Sequence, residues 1–315
     1  MSDTVKTRVL WDDLPADLRA EVERVLGGDV VSARSQAGGF SPGSADRVTT
    51  ENGRRAFVKT VHRDRNEGAY DLHRREIDVM RLIPAEVSAP ALLGAVVTED
   101  WAALVLADVD GSHPGRLQDG SEVVAVLDAF STFPRLDGVA RASLPAAESE
   151  LIDERDSWQT IDAQGIELPD WAAANRGRLR AAAERVLEVV TGEHLQHFDG
   201  RADNVLIDAD GRAWIIDWPW ASVGARWLDG LFYLLDVRLR GEAADVEELL
   251  AQHPLFDGVA EADVDSVLAA VTGRFFVKAQ SPAPPNMPTL RAFQYREAIA
   301  GMEWLRERWT RPQRS

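Results

Sequence analysis

His197-Phe198-Asp199-Gly200-Arg201-Ala202-Asp203-Asn204 is the stretch of this 315-residue chain whose reading decides the fold. Asn204 follows Asp199 by five residues, and two short β-like pieces come next, at 205–207 and 213–216. They flank Asp208-Ala209-Asp210-Gly211, a turn by composition, and the hairpin delivers Asp217 directly after Ile215-Ile216. Taken singly, each residue has an ordinary reading. Asp199 and Asn204 suit turn positions that bond their own backbone, Asp217 reads as a strand end, and His197 reads as a packed core histidine. The order of the set carries the information: a carboxylate, an amide five residues on, then strand, turn, strand and a second carboxylate.

That order matches what phosphoryl transfer asks of a protein. The reaction needs a positioned donor, neutralised charge and a group that orients the attacking hydroxyl. Asp199 is the candidate base. Asn204 and Asp217 offer the oxygen donors that a hard cation such as Mg2+ prefers.

Working outward, residues 14–26 carry apolar positions at helical spacing (Leu14, Leu18, Val22, Val25, Leu26) and stop at Gly27-Gly28. Five β-like segments follow at 30–33, 45–49, 55–61, 92–97 and 102–107, with Asn52-Gly53 as a hairpin signal between the second and third. One helix, 67–83, interrupts them and ends before Pro84. Helical patterns then fill 122–130, 175–190, 228–240, 245–252, 262–277 and 289–308, with a Pro-rich link at 280–288. We expect an α+β chain with a small β-rich lobe over 1–107, including a leading helix at 13–27, and a larger helical lobe over 108–315.

In the β-rich part, Lys59 sits on the third strand in Phe57-Val58-Lys59, where an ammonium can reach α- and β-phosphates. Glu76 lies 17 residues on, in the following helix, and is the favoured ion-pair partner. Its turn also carries Ile77 and Met80, so that face points inward, whereas Glu67 and Glu86 compete from less apolar surroundings. Gly38-Gly39-Phe40-Ser41-Pro42-Gly43-Ser44, between the first two strands, is a flexible loop whose backbone N–H groups suit phosphates.

Leu195 through Asp199, Asn204-Val205-Leu206 and Ile216-Asp217-Trp218 resemble the signature of the aminoglycoside phosphotransferase family. That family also includes choline, macrolide, homoserine and methylthioribose kinases. The resemblance implies a protein-kinase-like two-lobe fold, ATP (or GTP) as donor, and Mg2+. It implies Asp199 as base, Asn204 and Asp217 as Mg2+ ligands, and Asp229 as a brace for the catalytic loop. Ser41 stands where the family's nucleotide-positioning loop carries a serine. Leu104 through Val109 resembles the connector whose backbone binds the purine, which nominates Asp108 and Val109. Two departures limit the transfer. Arg201-Ala202-Asp203 replaces the frequent His-Pro-Gly, which leaves the substrate open, and Trp218-Pro219-Trp220 follows the metal aspartate in place of Phe-Gly.

Composition bounds the partners. A formal net charge of −17 argues against a nucleic-acid ligand and suits a cationic acceptor, although an acidic surface also serves solubility. Glu148, Glu150, Asp153, Glu154 and Asp156 precede the catalytic loop, where the family builds its acceptor site; a solvated helix face is their alternative. With no cysteine, no apolar run of bilayer length and no hydrophobic leader behind Met1 through Lys6, we expect a cytoplasmic protein without membrane contact, monomer or dimer. Of Trp218, Trp220 and Trp227, at least two are expected in the core. The expected acceptor is an aminoglycoside-like or other small-molecule alcohol, such as an amino sugar, a choline-like alcohol, a macrolide or a peptide natural product. A catalytically silent nucleotide-binding scaffold is the alternative. A protein kinase is disfavoured, since GxGxxG, DFG and APE are missing.

Overall fold

The computed structural model describes residues 9–36, 43–115, 120–241, 244–284 and 287–311. The chain divides into two compact units, Met1–Pro114 with Asp203–Trp220, and Gly115–Ala202 with Ala221–Ser315. The sequence suggests one break near residue 107; the fold instead groups Asp203–Trp220, with its hairpin, with the first unit. Its backbone bonds explain the grouping. Gly111–Ser112 pairs with Asp208 and Ile207, and the Ile215 N–H donates to the Ser88 carbonyl at 2.7 Å.

The first unit is built on an antiparallel sheet of β1 (Val30–Ser35), β2 (Ser44–Thr50), β3 (Arg55–His62), β4 (Leu92–Val97) and β5 (Trp101–Ala107), in the order β1-β2-β3-β5-β4. Alternation along the strands sorts the side chains onto two faces. Ala56 and Val58 of β3, with Ala103 and Val105 of β5, cluster with Leu14, Leu18, Val22 and Leu26. The last three belong to α1 (Ala16–Leu26), so this helix covers one face of the sheet. Burying each such Leu or Val contributes about 1.5–3 kcal/mol relative to leaving it exposed. Gly27 ends α1 in the left-handed region at φ 76°, a conformation that glycine adopts without a Cβ penalty. The β2–β3 turn then caps the helix, with Asn52 Nδ2 and Arg54 Nη1 donating to the carbonyls of Gly27 and Leu26, each at 3.1 Å. On the opposite parity, Val61 and Ala102 pack with Tyr70 of α2 (Glu67–Met80). Lys59 shares that parity, which turns its side chain toward α2. Strand β6 (Gly111–Ser112) and the hairpin β7 (Val205–Asp208) and β8 (Ala213–Ile215) form a second small sheet in this unit.

The second unit is helical. Its main elements are α3 (Ser121–Ser131), α4 (Ser157–Gln164), α5 (Arg176–Ala183), α6 (Leu228–Arg240), α7 (Glu261–Ala279) and α8 (Leu290–Thr310). The expected helix at 175–190 breaks after Ala183 and resumes only as Val186–Val189. α7 lies at the centre, packed against α4, α5 and α8. Trp158 of α4 is fully buried and donates through Nε1 to the Ala269 carbonyl at 2.9 Å. A short antiparallel strand pair, His194–Gln196 with Ser222–Gly224, leads into the segment that begins at His197. No described helix is long and apolar enough to cross a membrane.

Candidate active site

Three predicted residues from distant parts of the chain meet in the first unit. Lys59 Nζ donates to Glu76 Oε1 at 2.8 Å, to Glu76 Oε2 at 3.0 Å and to Asp217 Oδ1 at 2.7 Å. The Trp218 N–H adds a contact to Glu76 Oε1 at 3.3 Å. Burial works against the Lys59 ammonium, but attraction to Asp217 and then Glu76 outweighs it and holds its pKa above the ordinary lysine value. Burial pushes the Glu76 carboxyl upward and the Lys59 charge opposes that shift. With two lysine contacts and a backbone N–H on one carboxylate, we treat the pair as charged. Glu67 and Glu86, the competitors for this role, are both exposed.

Strand register places the next two residues. Val205 stands opposite Ile215 in the β7–β8 hairpin, and the Ile216 N–H donates to the Asn204 carbonyl at 2.9 Å. Asn204, buried, and Asp217, whose side chain is 49% exposed, therefore leave the same end of the hairpin. No group of three or more His, Cys, Asp or Glu among the described residues forms a metal cage. One carboxylate and one amide oxygen are the sparse hard donor set that Mg2+ accepts when substrate phosphates complete its shell, so these residues fit that ion.

The connector residues occupy a separate ionic cluster. The Asp108 carboxylate, 3% exposed, forms ion pairs with Arg47, Nε at 3.1 Å, and with Arg55, Nη2 at 2.5 Å. Arg47 also donates through Nη2 to the Val109 carbonyl at 2.7 Å. Nothing in the sequence pairs Arg47 and Arg55 with this segment; they converge on it because β3 runs between β2 and β5, with Arg47 opposite Phe57 and Ala56 opposite Ala107. Ser41 lies outside the described residues.

Asp199 belongs to the second unit, half-buried in a loop laid against α6. Asp229, 1% exposed, accepts the N–H groups of His197 at 2.5 Å and Phe198 at 2.8 Å through its two oxygens. The carboxylate thus holds the loop in place, the role that the resemblance implies for it, and no side-chain cap bond starts its own helix. Burial is the main cause that lifts its pKa to about 6, against the pull of His197 and the two N–H bonds. The positive-φ non-glycine residues among those described are Phe198 and Asp217, both at φ 67°. Each adjoins or belongs to the predicted set, and strain of this kind costs about 1–3 kcal/mol per residue and persists only where the surroundings enforce it. His197 is fully buried. Asp236, which the sequence reading did not single out, accepts the Ala202 N–H at 2.9 Å.

The model of the phosphotransferase enzyme family matches residues 37–262. The chain belongs to that family. No curated protein sequence is similar enough to match. Solved structures similar to this phosphotransferase include a spectinomycin phosphotransferase in complex with ADP and spectinomycin, at 15% identity over 93% of this chain and 99% of that one, with a TM-score of 0.59. A macrolide 2'-phosphotransferase from Brachybacterium faecium is similar at 13% identity over 96% and 100%, TM-score 0.58. A choline kinase from Streptococcus pneumoniae is similar at 16% identity over 91% and 98%, TM-score 0.55. The phosphotransferase thus has the α+β, protein-kinase-like fold that the resemblance implies.

Three of its carboxylates ahead of residue 197 have local partners. Asp153 lies 2.6 Å from Arg274 Nη2, Glu154 lies 3.5 Å from Arg274 Nε, and Asp156 lies 2.7 Å from Arg155 Nε. Trp218 and Trp227 are buried, whereas Trp220 is 39% exposed beneath the Arg75 guanidinium.

Proposed function

We propose that this phosphotransferase moves the γ-phosphoryl group of ATP (or GTP) to a hydroxyl of a small-molecule acceptor, with Asp199 as base. The observation that carries the reading is the convergence of Lys59, Glu76 and Asp217 within 3.0 Å, from positions 17 and 158 residues apart. Structural residues have little reason to bury a lysine between two carboxylates, since buried ion pairs seldom stabilise more than apolar packing does. Family membership and the five-residue step from Asp199 to Asn204 support it further.

Lys59, oriented by Glu76, binds the α- and β-phosphates, and Asn204 and Asp217 hold Mg2+. The ion, when bound, screens the charge on the phosphates. Asp199 accepts the proton of the acceptor hydroxyl as that oxygen bonds to the γ-phosphorus. The bond from the γ-phosphorus to the bridging oxygen breaks, and the nucleoside diphosphate leaves. The Asp108–Val109 segment, fixed by Arg47 and Arg55, takes the purine, and Ser41 the phosphates.

For the acceptor we favour an aminoglycoside-like alcohol, on the family and on the net charge of −17. A specific observation favours a second reading, an uncharged alcohol such as a macrolide or sugar: Asp153 and Glu154 already share Arg274, and Asp156 is paired with Arg155. The test is nucleotide consumption with Mg2+ across aminoglycosides, macrolides, peptide antibiotics, amino sugars and choline-like alcohols. One class should give acceptor-dependent nucleoside diphosphate. Nucleotide binding without transfer to any of them would replace the reading with a silent scaffold.

A further inference from the structure

Helix α6 carries two buried carboxylates seven residues apart, Asp229 and Asp236, with Tyr233 between them. Positions separated by four and by seven residues share one face of an α-helix. The segment 197–202 lies along that face. The N–H groups of His197 and Phe198, just before Asp199, donate to Asp229. Gly200 follows the base and rests directly on the helix backbone. A Cβ at Gly200 would stand 2.6 Å from the Asp229 carbonyl oxygen and 3.4 Å from the Tyr233 nitrogen. Ala202, three residues beyond the base, donates its N–H to Asp236 Oδ2 at 2.9 Å.

The same Oδ2 receives Arg240 Nε at 2.9 Å, one helical turn further on. An aspartate four residues ahead of an arginine suits the helix, and the arginine lies in the last turn, where a cation is favoured. Arg240 thereby offsets the cost of burying the Asp236 charge and keeps its oxygen available as a strong acceptor.

We propose that Asp236, held by Arg240, is a second positioning residue of the phosphoryl-transfer site, which rests on the function proposed above. A single brace before Asp199 would fix one end of the loop and leave the peptides beyond the base free to rotate. Braces on both sides, with the glycine flat on the helix between them, fix the Cα of Asp199 and the direction in which its carboxylate leaves the loop. The effect is on orientation: Asp236 need touch neither nucleotide nor acceptor.

Two measurements test it. In the wild-type chain, residue-resolved hydrogen exchange should show the Ala202 amide protected to the level of the His197 and Phe198 amides. Exchange at the rate of an exposed loop amide would overturn the proposal, and this readout needs neither acceptor nor turnover. A wild-type chain that transfers no phosphoryl group would therefore refute the proposed function while leaving the brace tested. With an acceptor in hand, Asp236→Ala should lower kcat by about 10–100-fold, the scale of a misplaced catalytic group, with KM for the nucleotide little changed. Asp236→Asn, which keeps an acceptor for the Ala202 N–H, should recover most of that loss. Near-wild-type kcat in Asp236→Ala, equal losses in both variants, or a parallel rise in nucleotide KM would each overturn it.

Discussion

At the scale of single residues, the predicted set divides by the kind of signal that carries it. Asp199, Asn204 and Asp217 are legible because fixed spacing and a hairpin register constrain them. Lys59 and Glu76 are legible because strand alternation and an amphipathic helix point both inward. Asp236 has no comparable mark. It belongs to no local motif, and its only trace is that it repeats Asp229 seven residues later on one helix face. The Arg47 and Arg55 contacts to Asp108 depend on which strands lie side by side, which a single sequence does not state.

Two predictions belong to this scale. Gly200→Ala places a methyl against backbone that a side-chain rotation cannot relieve. It should destabilise the chain by about 1–3 kcal/mol, read by urea unfolding, and lower kcat along with stability. The second concerns Asp229, which titrates at about 6 in the folded chain against an ordinary value of 3.8. Its folded pKa is raised, so between roughly pH 4 and 6 the folded state binds this proton more tightly than the unfolded state. The contribution of this group to stability is therefore greatest below that window and declines as pH rises through it. Thermal melts over that range should show a steeper decline in the wild type than in Asp229→Asn; parallel curves would show that Asp229 does not titrate there.

At the scale of elements, long periodic segments are legible, and most of the short helices are not. Strand β5 and helices α1, α2, α6 and α7 fall close to their expected ranges because each buries a full face. Gly138–Ser143, Ala147–Glu150, Ile152–Arg155, Ser157–Gln164 and Asp170–Ala174 are too brief to display a helical period. They are ordered by tertiary contacts, such as Trp158 against α7. α1 lies outside every motif, yet it covers one face of the sheet whose opposite face carries Lys59. Leu26→Ala should therefore cost about 2–5 kcal/mol, as truncation of a buried leucine does, and show as a lower denaturation midpoint. A cost below 1 kcal/mol would mean that the helix is not part of the folded core.

At the scale of the molecule, the fold is legible from the order of elements, and the same order survives in relatives at 13–16% identity. Such low identity also explains why the acceptor is not legible: a fold persists while the contacts to a ligand change freely. The proposed transfer needs a nucleotide and a cation, which leads to a prediction about Mg2+. Asn204→Ala removes one of two proposed oxygen donors and should shift the Mg2+ titration of turnover to higher concentration. An unaltered titration would make Asn204 a turn residue only.

The central claim is that Asp199 is the base of a phosphoryl transfer, and turnover of Asp199→Ala beside the wild type tests it most directly. Acceptor-dependent formation of nucleoside diphosphate should fall by about 10²–10⁴-fold, as expected for loss of a general base, with nucleotide affinity retained. Turnover equal to that of the wild type would contradict the account.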